Sequence, residues 1–114
     1  MLHEHMRREL GSFELMVLTA VLRVGDDAYG APIARELEQT AKRGVLLGSV
    51  YGALDRLEDK GLVVSVKGEP TPLRGGRAKK YFKLTAKGLR EVRTARAALV
   101  RLWRGVPELQ GGTT

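Results

Sequence analysis

The chain contains no cysteine, which excludes disulfides, thiolate catalysis and any cysteine-ligated zinc site. Nowhere does it hold about 18 uninterrupted apolar residues, the length of a membrane span. The opening MLHEHMRREL also lacks the apolar core of a secretory signal. No membrane partner and a cytoplasmic location are therefore expected. Histidine is scarce: His3 and His5, separated only by Glu4, have no further histidine or cysteine to join them and make a poor metal site. Neither a metal nor another cofactor is expected. Nothing converges for catalysis, since Asp26-Asp27 reads as a turn and Glu36 and Glu38 as a solvated helix face, so an enzyme is not expected.

Positive charge is what the chain has in excess, with a formal net charge of +7 over 114 residues, a length suited to one compact domain. The excess is uneven: Met1 to Val66 holds 8 Lys/Arg against 10 Asp/Glu, whereas Lys67 to Thr114 holds 12 against 3. Such asymmetry favours a polyanionic partner on one side of the molecule, bound in a salt-sensitive way. Charge alone does not separate DNA from RNA or an anionic membrane.

Apolar spacing predicts a first helix over Ser12 to Val24, with Phe13, Val17, Ala20, Val21 and Val24 at three- and four-residue intervals, Ser12 as N-cap and Gly25-Asp26-Asp27 as the stop. Leu2, Met6 and Leu10 share an upstream spacing that reads as an N-terminal arm or an extension of that helix. A second helix starts at Gly30, tolerates Pro32 in its first turn and ends near Thr40 or Ala41. Val45-Leu46-Leu47 reads as a linker or brief strand. Ser49 then caps a third helix with Val50, Leu54 and Leu57 as its apolar stripe, Tyr51, Asp55 and Arg56 opposite, and Lys60-Gly61 at its end.

From Leu62 the period becomes two, with Leu62, Val64 and Val66 on one face and Val63, Ser65 and Lys67 on the other. Tyr81 to Leu84 is the return strand, and Gly68 to Lys79 a long hairpin tip carrying Arg74, Arg77 and Lys79, with Lys80 beside it. Thr85 caps a last helix running to about Val106. Along it Val92, Ala95, Leu99, Leu102 and Val106 advance by three, four, three and four residues, the seam spacing of a helix packed along another helix. A second subunit is the expected partner for that seam, through the same helix or the N-terminal arm. The fold class is thus mainly α with a small antiparallel β-wing: a winged helix-turn-helix domain with its arm over 1–84, a C-terminal helix over 85–107 and a tail over 108–114.

These residues together resemble the PadR family of winged-helix transcriptional regulators, in its short-tailed subfamily with one C-terminal dimerisation helix. The matching residues are Gly11-Ser12-Phe13-Glu14, Tyr29-Gly30, Gly48-Ser49-Val50-Tyr51 with Leu54, Arg56-Leu57-Glu58, Gly61-Leu62, Lys80-Tyr81-Phe82, and Leu84-Thr85 with Gly88. They cover most of residues 10 to 90. Gly52 departs from the pattern, because the family often has proline there.

The resemblance implies a homodimeric DNA-binding repressor. Its third helix would enter the major groove, its wing would touch the neighbouring backbone or minor groove, and its C-terminal helices would form the dimer interface. Two copies would then meet half-sites roughly 34 Å apart on a palindromic operator. Ser49 and Tyr51 are the expected contacts from the first turn, where a hydroxyl and a phenol can reach a phosphate or base edge. The plainer alternatives are that Ser49 is only a cap and Tyr51 only a packing residue. Arg77, Lys79 and Lys80 are expected to act as a group on phosphate, with Lys42 and Arg43 as weaker candidates.

The expected dimer interface comprises Leu2, Met6, Leu10, Val92, Ala95, Leu99, Leu102, Trp103 and Val106. In some multidrug-sensing relatives a tryptophan on this helix lines an apolar pore and stacks on flat aromatic ligands, which makes Leu99 and Trp103 the candidate site for a small apolar or aromatic effector. That tryptophan would align nearer Leu99, so a dimer-core role for Trp103 without a ligand is favoured. The competing functions are a winged-helix protein-interaction module and a multidrug-type ligand sensor with secondary DNA binding. Salt dependence combined with sequence preference distinguishes them.

Overall fold

A computed structural model describes residues 10–68 and 79–110. Leu2, His3, His5, Met6 and Arg77 lie outside the described residues. Three helices come first: α1 (Ser12–Val24), α2 (Gly30–Thr40) and α3 (Leu47–Asp59). A two-stranded antiparallel sheet follows, β1 (Val63–Lys67) with β2 (Lys80–Leu84), and then α4 (Ala86–Trp103). This is the winged-helix arrangement expected of a mainly helical chain with one small β-wing.

The core lies where the apolar stripes of the first three helices meet the wing. Val17, Leu18 and Val21 of α1, Ile33 and Leu37 of α2, and Val50, Ala53, Leu54 and Leu57 of α3 are buried together with Leu62, Val63 and Phe82. The sheet runs in the register Val63–Leu84, Ser65–Phe82 and Lys67–Lys80. Its inward residues are Val63 and Phe82, while Val64 and Val66 face outward. Leu62 is buried as well, though it precedes the strand: its amide donates to the Leu57 carbonyl and its own carbonyl accepts from Thr85. Behind the sheet, the Phe82 amide donates to the Ala28 carbonyl at 2.8 Å, tying the α1–α2 connection to β2.

The helix starts differ from the sequence expectation. Gly11, not Ser12, is the N-cap of α1, and its amide donates to the Glu14 carboxylate at 3.2 Å. Ser49 does not cap α3: Leu46 holds that position without a side-chain cap, and Ser49 is the third helical residue, its amide donating to the Leu46 carbonyl. The extra turn forms because extended backbone at Leu46 already presents its carbonyl to the first helical amides. Thr85 caps α4 as expected, its hydroxyl oxygen accepting from the Gly88 amide at 3.0 Å. Val106 lies off α4, since Arg104 leaves the helix with extended backbone and Gly105 follows at φ +77.

The junction between α3, β1 and α4 is close-packed. Gly61 turns the chain at φ +75, a conformation that favours glycine. A Cβ at Gly88 would sit 2.1 Å from the Leu62 carbonyl oxygen, so only glycine admits this approach of α4 to the turn. The Thr85 hydroxyl donates to the Gly61 carbonyl at 2.7 Å, and Lys87 reaches the Lys60 carbonyl at 3.1 Å. The first turn of α4 is therefore fastened to the end of α3.

Candidate nucleic-acid interface

The first turn of α3 is open to solvent. Leu46 is 79% exposed, Ser49 is exposed, and Tyr51 keeps 39% of its surface. A side-chain oxygen at an N-cap typically stabilises a helix by about 1 kcal/mol. Leucine at position 46 offers none. The ring of Tyr51 rests against the start of α2, so close that a Cβ on Gly30 would lie 2.4 Å from both its Cζ and its hydroxyl oxygen. Packing thus holds Tyr51 in place while part of it stays accessible.

The far end of α3 is fastened to α1. Glu14, only 7% exposed, accepts from Arg56 Nε at 2.9 Å and from Lys60 Nζ at 2.6 Å. Burial alone would raise the Glu14 carboxyl, but the hydrogen bonds from Lys60, Arg56 and the Gly11 amide prevail and hold it below the ordinary glutamate value. Arg56, placed on the outer face by helical periodicity, is thereby drawn back to α1. Glu58 accepts from the Ser65 hydroxyl at 2.7 Å and pairs with Lys80 at 3.7 Å, joining α3 to both wing strands.

The wing lysines are partly engaged at its root. Lys79 Nζ stands 4.1 Å from the centre of the Tyr29 ring, which meets the Tyr81 ring edge-on at 5.5 Å. Lys80 faces Glu58. Lys42 adopts φ 57 just after α2, and the Arg43 amide donates to the Leu37 carbonyl. The Arg43 guanidinium lies 5.2 Å from the centre of the Phe13 ring on α1. Of the expected contacts, Ser49 lies in the first turn of α3 and Tyr51 at the start of the second, Lys79 and Lys80 share the wing root, and Arg43 is turned toward α1. Leu46 and the Glu14 cluster were missed from sequence. A lone carboxylate beside the core-facing spacing of α1 was the available signal for the latter.

Along α4, Gly88 alone is buried. Val92 and Leu10 pack partly against the core, and Ala95 is half-buried. Leu102 is 71% and Trp103 48% exposed, with Leu99 also open. Between α1 and α4 runs a groove of about 220 Å³ lined by Leu15, Thr19, Val92, Arg96, Leu99, Val100 and Trp103. Among the described residues no group of three or more metal-ligating side chains occurs, and no helix is long and apolar enough to cross a membrane.

The family model described as the transcriptional regulator PadR-like family matches residues 17–94, from α1 through α3 and the wing into α4. Among solved structures, the chain is similar to a PadR-like transcription factor from Bacteroides fragilis, with 28% identity, a TM-score of 0.67, and coverage of 89% of this chain and 90% of that one. A PadR family transcriptional regulator from Eggerthella lenta is 26% identical at a TM-score of 0.65, covering 84% of this chain and 81% of that one. The same fold occurs in a transcriptional regulator from Thermoplasma acidophilum, 19% identical at a TM-score of 0.67, covering 83% and 89%. A search of curated proteins gives no match. With a family match spanning the helical core, the exposed helix and the wing, the chain belongs to the PadR-like family of DNA-binding transcriptional regulators.

Proposed function

We propose that the protein acts as a homodimeric repressor that binds a palindromic operator through α3 and the wing and dimerises through α4. The observation that carries this reading is the exposure of Leu102 and Trp103 at the end of a helix whose own domain buries little of it. Leucine and tryptophan in that position supply the apolar surface of a subunit interface. Two α3 helices related by a two-fold axis would enter successive major grooves roughly 34 Å apart. Ser49 and Tyr51 would meet phosphate or base edges, with Lys79, Lys80 and Arg77 of the wing on the flanking backbone and Lys42 and Arg43 in a secondary role. Leu2, Met6 and Leu10 would add the N-terminal arm to the interface.

Trp103 serves the dimer core in this reading, and the Leu99–Trp103 region is where an apolar or flat aromatic effector would act, by altering the angle between the two α4 helices. Leu99 lines two adjoining grooves in one chain, one of about 220 Å³ shared with Trp103 and one of about 380 Å³ between α1 and α2, and the second of these falls within the range of small-molecule sites.

The test is fluorescence anisotropy on the protein's own upstream DNA and on a scrambled duplex across a salt range, with light scattering to give the mass. A dimer that keeps its preference for the native duplex as salt rises is the expected result. Equal, steeply salt-dependent binding to both duplexes would overturn the reading in favour of a basic interaction module.

A further inference from the structure

We infer that Leu46 reads thymine in the major groove, its side chain making apolar contact with a C5-methyl group and so contributing sequence preference instead of phosphate affinity. The inference rests on the placement of α3 against DNA proposed above. Leu46 is the most exposed large apolar residue described, at 79%, and it occupies the N-cap of α3, where its side chain makes no capping hydrogen bond. Leu47 beside it is 45% exposed. Neither lines the apolar grooves beside α4, which are built from α1, α2 and α4. The two leucines are thus a separate apolar feature at the start of the helix, just ahead of Ser49 and about one turn before Tyr51.

The chemistry of that position selects the occupant. A leucine side chain cannot engage a phosphate, and among base edges in the major groove the thymine methyl is the apolar element. Farther along α3 the exposed carboxylates of Asp55 and Asp59 repel the DNA backbone. Base reading is thereby confined to the first turn and the residue that opens it. Gly48 has open space where a Cβ would stand, so none of the described residues crowds that position of the turn.

The experiment uses the full-length protein to select its preferred duplex from a random-sequence pool. Each thymine of a half-site is then replaced in turn by deoxyuridine, which removes only the methyl group, and affinity is measured for the wild type, Leu46→Ala and Leu46→Met. At one or more thymines the wild type and Leu46→Met should lose about fourfold in affinity per half-site, the factor for one buried methyl group. Leu46→Ala should be insensitive to the same replacement. Thermal melting checks that the variants remain folded, as expected for an exposed position. Equal methyl effects in the wild type and Leu46→Ala at every thymine, or no methyl effect at all, would overturn the inference while leaving sequence-specific binding intact. Failure to select any sequence would overturn the placement of α3 and this inference with it.

Discussion

The ring of Tyr51 on α3 occupies the space in which a side chain on Gly30 of α2 would have to stand. The absence of a Cβ at the start of one helix therefore fixes an aromatic residue on the exposed turn of another. Gly30→Ala should displace the partly exposed ring toward solvent and leave stability within about 1 kcal/mol because alanine suits a helix start. DNA affinity should fall about fivefold, the factor for one lost hydrogen bond, and Tyr51→Phe should lose a similar amount. Paired melting and anisotropy measurements check this. A Gly30→Ala protein with full affinity would show that the resting place of Tyr51 does not matter to binding.

Glu14 should matter to stability in a pH-dependent way. Glu14→Gln weakens two charge-assisted hydrogen bonds at a nearly buried carboxylate and should destabilise the fold by about 2 kcal/mol at pH 7. Its folded-state pKa is depressed, so its stabilisation is fully present above the unfolded value of about 4.3 and is lost as pH falls through the folded value. Urea unfolding at pH 7 and pH 3 should show the gap between wild type and variant narrowing in acid. A constant gap would mean that the carboxylate charge is not its source.

Gly88→Ala should be among the most damaging single-methyl changes in the chain. The new Cβ would meet the backbone oxygen of Leu62 at 2.1 Å, and that oxygen is already held by the Thr85 amide. A loss of about 3 kcal/mol is expected. Alanine at Gly48, where a Cβ meets nothing, serves as the comparison, and thermal unfolding reads both.

Leu102→Glu should separate folding from assembly. The residue contributes little to its own domain, so the melting temperature of the isolated domain should change by only a few degrees. Sedimentation should show the dimer replaced by monomer, and affinity for a two-half-site duplex should fall at least tenfold, an estimate from loss of linked binding, while a single half-site is bound as before. An unchanged mass would move the interface away from α4.

The architecture was largely legible because it depends on local periodicity: Val50, Leu54 and Leu57 share a face by helix geometry alone, and the change to a period of two after Gly61 marks the wing. Helix starts were less legible. The Gly11 amide is satisfied by Glu14, whose carboxylate is itself positioned by residues over 40 places away. The same distance hid the fate of Arg56, whose side chain crosses to α1 although its backbone faces outward. Lys79 and Lys80 read as a group facing phosphate, while the ring contact over Tyr29 and the ion pair with Glu58 that engage them at the wing root had no sequence signal. Exposure at Leu46 had no sequence signature, since Val45-Leu46-Leu47 looks like any short apolar linker.

The joint at Gly61, Leu62, Thr85 and Gly88 leaves no slack between the helix proposed to face DNA and the helix proposed to join the subunits. Eighteen residues make α4 about 27 Å long, so it works as a rigid arm. A tilt of about 10° at its far end would carry the reading head sideways by about 5 Å, more than the rise of a base pair. The separation of half-sites preferred by the proposed dimer would therefore be a gauge of the angle between its two arms.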